Sequence, residues 1–235
     1  MKGLITICAR GGSKGIPGKN IKPINDIPLI GYTIQTAQRF AQGKDVQIGL
    51  SSDSADIIFT ASKYGLETDY QRPAELGSDT AGKLDVIKAL VIHHEKISGA
   101  FDFVIDMDVT SPLRTPKDIE IALENLMKDP LSEIIFSVSK AQRNPYFNMV
   151  EEGGDGYYKL VKEGKFLTRQ SAPKVFDLNA SFYIFKRSFF EKYNSVMTPH
   201  TLVYEVPHLC FDLDEPIDFE FMEYLMVNKK LDFDL

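Results

Sequence analysis

The sequence predicts an α/β protein, a mostly parallel sheet with helices on both faces in three layers, interrupted by an inserted β-rich arm. Three observations predict it. Short apolar runs without helical period recur at residues 4–9, 46–50, 101–107 and 133–138. The stretches between them hold apolar residues at helical spacing. The joins are short, which implies right-handed βαβ crossovers rather than hairpins.

Each element follows from local chemistry. Residues 4–9 are a buried strand ended by glycines. Ile30, Ile34, Ala37 and Ala41 then keep helical spacing, and Gly43 closes that helix. Residues 46–50 form the second strand, and Ser51-Ser52-Asp53-Ser54 supplies caps for a helix to about Tyr64. A further helix is expected from Thr80, with Val86, Leu90 and His93 or His94 on one face. Strand 101–107 leads into the loop Thr110-Ser111-Pro112, and Pro116 opens a helix to about Lys128. Strand 133–138 follows, and at Ser139 the rhythm breaks. Residues 140–180 are polar and rich in turns, yet retain Tyr146, Phe147, Tyr157, Tyr158 and Phe166, so they read as an arm rather than a linker. Strand 180–185, a short helix 188–193, strand 202–206 and a closing helix 218–228 complete a single domain of residues 1–235.

Bulk properties narrow the function. With 27 basic and 33 acidic residues the net charge is −6, which argues against a general nucleic-acid binder. No apolar run is long enough to cross a bilayer, and Met1-Lys2-Gly3 enters a strand rather than a leader, so a cytoplasmic protein without a membrane partner is expected. Cys8 and Cys210 are the only cysteines, too few for a disulfide framework or a multi-cysteine metal site. The four histidines show neither zinc nor Ser-His-Asp spacing.

The opening loop carries the chemistry. ICARGGSKGIPGKN places Arg10, Lys14 and Lys19 among four glycines directly after the first strand. Ligands of α/β sheets bind beyond the carboxyl ends of strands, and glycine-rich backbone with cations suits a phosphate chain. It is neither a P-loop, since Asn20 follows Gly18-Lys19, nor a G-x-G-x-x-G dinucleotide fingerprint. A second feature is the pair Asp212 and Asp214. On an extended strand, one residue between them puts both carboxylates on one face, suited to a hard divalent cation. Asp106 and Asp108 repeat that spacing.

ARGGSKGIPGKN closely resembles the signature loop of the cytidylyltransferases that activate nine-carbon acidic sugars, the CMP-sialic acid synthetase family. The resemblance extends over Arg72-Pro73 with Leu76 and Asp79-Thr80, Thr110 to Arg114, Asn179 to Tyr183, and Phe211-Asp212-Leu213-Asp214. Within the insert, Arg143-Asn144-Pro145-Tyr146-Phe147-Asn148 and Thr168 to Lys174 look most like bacterial enzymes that make CMP-legionaminic acid.

The resemblance implies a Rossmann-like nucleotidyltransferase fold with a dimerisation arm, and a reaction of CTP with a nonulosonic acid that releases pyrophosphate. It assigns Arg10, Lys14, Lys19 and Asp214 to catalysis, and Ala9, Arg10, Gly11, Gly12, Ser13, Lys14, Asn20 and Arg72 to the nucleotide. Arg169, Asn179 and Tyr183 are placed at the sugar, and Mg²⁺, with Mn²⁺ able to replace it, at Asp212 and Asp214. Asp108 stands where sialic-acid enzymes have Gln, leaving metal, nucleotide, sugar and loop-anchoring roles open. Lys83 stands where relatives carry a small hydroxyl residue, which leaves a base contact there in doubt. A homodimer or dimer-based tetramer is implied. Legionaminic or sialic acid is the expected sugar, with pseudaminic acid and Kdo as alternatives. Two rivals from other classes are a glycosyltransferase, which needs no triphosphate clamp, and a non-catalytic nucleotide-binding protein, which needs no metal pair.

Overall fold

A computed structural model describes residues 1–12, 15–78, 81–164, 166 and 168–235, and of Arg169 the backbone alone. Six strands form one sheet: β1 (Gly3–Cys8), β4 (Val46–Ser51), β5 (Phe103–Met107), β6 (Ile134–Lys140), β9 (Phe176–Lys186) and β10 (Thr201–Glu205). Their spatial order is β10-β6-β9-β5-β1-β4, all parallel except β9, which runs antiparallel to both β5 and β6.

The three layers are written in the two-residue period of the strands. Ile5, Ile105 and Ile184 point to one face, where they pack with Ile30, Ile34 and Phe40 of α1 (Leu29–Ala41). The same face receives α4 (Pro116–Lys128) through Ile119 and Leu126, and α6 (Pro216–Val227) through Phe219 and Met222. Leu4, Val104 and Phe185 point the other way, onto Ile87 and Val91 of α3 (Lys83–Ser98) and Phe189 of α5 (Phe189–Lys192). Helix α2 (Ala55–Lys63) begins at Ser54, whose side chain caps it.

Several expectations change. The helix expected from Thr80 begins at Lys83, and Asp79 and Thr80 lie outside the described residues. The closing helix begins at Pro216, capped by Glu215, two residues earlier than expected. Asp212 and Asp214 do not sit on a strand. Their segment is held instead by a hydrogen bond from the Leu213 amide to the Thr110 carbonyl at 2.8 Å, with Leu213 buried between them. A small hairpin absent from the expectation, β2 (Pro23–Ile24) and β3 (Ile27–Pro28), turns through Asn25 and Asp26 at positive φ, as a type I′ turn requires. The arm contributes one further hairpin, β7 (Val150–Glu152) with β8 (Tyr158–Leu160).

Candidate functional site

β1 lies between β4 and β5, so the chain leaves β1 toward one side and later returns on the other. Such a reversal opens a crevice at the strands' carboxyl ends. Here it is a cleft of about 700 Å³ whose walls include Arg10, Lys19, Asn20, Arg72, Asp108 and Asp214, all marked out in the sequence.

The opening loop is tied down on both sides. The Ala9 amide donates to the Ser51 carbonyl at 3.0 Å, which prolongs the β1–β4 ladder. The Gly11 amide donates to Asp53 Oδ1 at 2.9 Å, and a side chain at Gly11 would meet Ser54. Gly12 is exposed, with open space where a side chain would be. A Cβ on Gly15 would lie 3.1 Å from the Asp214 carbonyl oxygen, so glycine permits the loop to close against the aspartate segment. Lys19 completes that closure, donating to the Leu213 carbonyl at 2.9 Å and to Asp214 Oδ1 at 3.1 Å. Asn20 is buried and its amide donates to the Arg10 carbonyl at 2.9 Å. Ser13 and Lys14 lie outside the described residues.

Arg72 is anchored to the end of β4, with Nε donating to Ser51 Oγ at 2.8 Å and Nη2 to the Ser51 carbonyl at 2.5 Å. Its position on the cleft wall follows from the parallel ladder that places Ser51 beside Cys8.

The carboxylates divide into two groups. At the end of β5, Asp106 accepts from Thr6 Oγ1 at 2.9 Å, and Asp108 Oδ1 accepts from the Thr110 amide and hydroxyl, both at 3.0 Å. Lys83, the first residue of α3, reaches both: its Nζ is 2.9 Å from Asp108 Oδ2 and 3.1 Å from Asp106 Oδ2. The second contact is an ion pair without hydrogen-bond alignment, so Asp106 Oδ2 has no hydrogen-bond partner. Burial pushes the Asp108 carboxyl upward, but the Lys83 ammonium and the Thr110 donors outweigh it and hold it down at about 2.

The second group is Asp212 and Asp214. Asp212 Oδ1 is buried and has no hydrogen-bond donor. Burial raises its proton affinity, and the charges of Asp108 and Asp214 add to the rise. Among the described residues no cluster of three or more His, Cys, Asp or Glu is gathered as a metal cage. An orphaned carboxylate oxygen among like charges nevertheless fits a hard cation that completes its shell with water and phosphate oxygens. Asp212 and Asp214 are the residues that could hold it.

Beneath both groups lies Arg114, fully buried. Nη1 donates to the carbonyls of Ser111 at 2.7 Å and Ser181 at 2.5 Å and to Ser181 Oγ at 3.1 Å; Nη2 donates to Thr33 Oγ1 and the Asp108 carbonyl, both at 2.7 Å. Burial lowers its pKa to about 10, which leaves it charged at neutral pH. It fixes the loop that follows β5, and with it Asp108.

Of the candidates assigned to the sugar, Tyr183 adjoins the cleft through Lys83, and Asn179 is bonded within the sheet. Asn179 sits where β6 and β9 shift register, its amide donating to Ser139 Oγ at 2.9 Å and its carbonyl oxygen accepting from Ser137 Oγ at 2.6 Å. Ala180, at φ 56°, carries the chain past that irregularity. Tyr183 turns its ring to Lys83, with Nζ 4.6 Å from the ring centre. The Arg169 side chain lies outside the described residues. Sequence reasoning gave Lys83 no partner and Arg114 no role. The one signal for Arg114 is an arginine that closes the short loop after β5, where a buried charge implies internal acceptors.

The family model described as "Cytidylyltransferase" matches residues 4–231. The chain is 43% identical over 230 residues to the CMP-N,N'-diacetyllegionaminic acid synthase of Campylobacter jejuni, covering 97% of this chain and 96% of that one. It is 30% identical over 230 residues to the pseudaminic acid cytidylyltransferase of the same species, covering 96% of both. Among solved structures, a CMP:2-keto-3-deoxy-manno-octonic acid synthetase complexed with CTP superposes with a TM-score of 0.69 at 18% identity, covering 97% of this chain and 100% of that one.

Proposed function

We propose that this chain, which belongs to the cytidylyltransferase family, transfers CMP from CTP to the anomeric hydroxyl of a nonulosonic acid of the legionaminic type and releases pyrophosphate. The observation that carries the reaction is the cleft at the switch of β1, where Arg10, Lys19 and Arg72 face Asp108 and Asp214. The sugar rests on the 43% identity to a legionaminic acid synthase against 30% to a pseudaminic acid enzyme.

In this reading the triphosphate lies along the opening loop, with Arg10, Lys14 and Lys19 balancing its charge. Arg72, held to Ser51, and Asn20 face the base and ribose. The sugar hydroxyl attacks the α-phosphorus, the bond to the β-phosphate oxygen breaks, and pyrophosphate leaves in line. Catalysis is positioning plus charge neutralisation, and no covalent protein nucleophile is required. Mg²⁺ at Asp212 and Asp214, or Mn²⁺ in its place, would neutralise charge on phosphate oxygens and acidify the attacking hydroxyl.

The chain also works as a homodimer, or as a tetramer built from two dimers, in this reading. Support comes from the β7–β8 hairpin, whose Val150 and Tyr158, with neighbouring Tyr157, are exposed. No helix among the described residues is long and apolar enough to cross a membrane.

The test is pyrophosphate release from CTP and Mg²⁺ with N,N'-diacetyllegionaminic acid, sialic acid, pseudaminic acid and Kdo offered separately. A kcat/KM preference of at least tenfold for the legionaminic acid is expected. Preference for another sugar overturns the substrate assignment, and no release with any of them overturns the reaction.

A further inference from the structure

We propose that Lys83 is a resident cation at the carboxyl end of β5, standing where a second divalent metal would bridge Asp106 and Asp108, so that a single metal, at Asp212 and Asp214, serves the reaction. This rests on the metal-assisted CMP transfer read above.

Geometry is the first argument. Asp106 and Asp108 are two residues apart at the end of β5, the spacing that turns both carboxylates to one side. Between them stands not open space but the Lys83 ammonium, at 3.1 and 2.9 Å. A cation bridging these oxygens would need the same position, and an ammonium and a dication cannot share it.

The ammonium is also held from a third direction. The face of Tyr183 lies 4.6 Å away, and an aromatic face attracts a cation. Tyr183 pairs with Asp106 in the β5–β9 register, so the sheet itself sets ring and carboxylate on either side of the lysine. Helix polarity adds a further point. Lys83 is the first residue of α3, where the positive end of the helix dipole disfavours a cation. Its place is therefore set by the two carboxylates. Burial favours loss of its proton, but Asp108 and then Asp106 reverse that and keep it charged.

The consequence is a division of labour among four aspartates. Asp106 and Asp108 are neutralised by the protein's own lysine. Asp212 keeps an oxygen without a donor, and the exposed Asp214 carboxylate accepts from Lys19 through Oδ1. Only the second pair is left for a metal.

Equilibrium dialysis of the full chain against Mn²⁺, with equal CTP on both sides and no sugar, counts the metals. One Mn²⁺ per wild-type chain and two per Lys83→Met chain are expected. Two on the wild type, or one on a folded Lys83→Met protein, overturns the inference and leaves the metal reading standing. None on the wild type overturns both. Should Lys83→Met fail to fold, Asp108→Asn decides: it should change the Mn²⁺ dissociation constant less than threefold, whereas Asp214→Asn should weaken it more than tenfold. A tenfold loss in Asp108→Asn makes Asp108 a ligand and overturns the inference. If Asp214→Asn binds Mn²⁺ as the wild type does, the metal reading fails by itself.

Discussion

At the floor of the cleft, Arg114 has no exposed surface and makes five hydrogen bonds to α1, β9 and the loop after β5. In the arm, Tyr157 is 76% exposed and Tyr158 66%, on a hairpin of two three-residue strands. In one region the two terminal guanidinium nitrogens of a buried arginine are spent on internal acceptors. The other leaves large apolar surface in water, which costs free energy until something covers it. In the proposed reading the floor of the cleft is set by one chain, and the arm is the surface that a second copy covers.

The largest expected effect breaks the first region. Arg114→Met removes five hydrogen bonds from a buried charged donor and should cost about 3–5 kcal/mol of stability. A fall in Tm of at least about 6 °C by calorimetry would agree, since about 2–4 °C per kcal/mol is usual at this size. A shift below about 2 °C would mean that the buried cation is not the keystone described here. Asp214→Asn tests the chemistry above that floor. Its kcat should fall at least ~10²-fold, about 2.7 kcal/mol of barrier, with Tm nearly unchanged. Unchanged turnover would remove Asp214 from the metal site.

The arm is tested by replacing Tyr157 and Tyr158 together with serine. The dissociation constant of the dimer should rise at least about tenfold, roughly 1.4 kcal/mol, in sedimentation equilibrium. A wild-type chain that sediments as a monomer would remove the contrast between the regions altogether.

The smallest effect concerns the approach to the aspartate segment. His208 Nε2 lies 3.0 Å from Asp118 Oδ2, and its ring stacks on Phe233 at 3.8 Å. Burial opposes a charge on His208, but the Asp118 carboxylate outweighs it and raises the pKa above the usual histidine value. A raised folded pKa gives stability that is complete below about pH 6.5 and lost as pH rises through the folded value. The stability gap between wild type and His208→Gln should therefore be about 1 kcal/mol at pH 6 and shrink toward pH 9. Asp118 works in the opposite sense. Burial pushes its carboxyl up, but His208 and Thr115 bring it down to about 2, so its contribution is present above about pH 4 and lost as pH falls toward 2. Urea titrations at pH 6, 7.5 and 9 check the first window, and a gap that widens with pH would reverse the assignment.

Most of the strands and helices were legible because burial on both faces leaves continuous apolar runs and burial on one face leaves helical spacing. The antiparallel course of β9 was not, since ASFYIF reads as a buried strand in either direction. The opening loop was legible from its composition and its place after β1. Lys83 was not, because what pairs it with Asp106 and Asp108 is the packing of α3 against the sheet, not any spacing along the chain. Asn179 shows the converse. The resemblance alone assigned it to the sugar, and no sequence signal showed that both ends of its amide are bonded at the register shift between β6 and β9. Two aspartates one residue apart suggested a strand, while the Leu213 amide donates its hydrogen bond to the loop after β5 and the segment stays out of the sheet.

Lys19 and the Leu213–Asp214 segment meet across 194 intervening steps of chain, nearly its whole length. Contacts so distant in sequence close late, because loop entropy must be spent before they form. On the ribosome the opening loop is made well before the Leu213–Asp214 segment and waits for it. A prematurely terminated chain can therefore build β1, β4 and β5 and still lack the cleft wall formed by Asp214 and Glu215. The cleft is complete only once segments 194 residues apart in the chain have met.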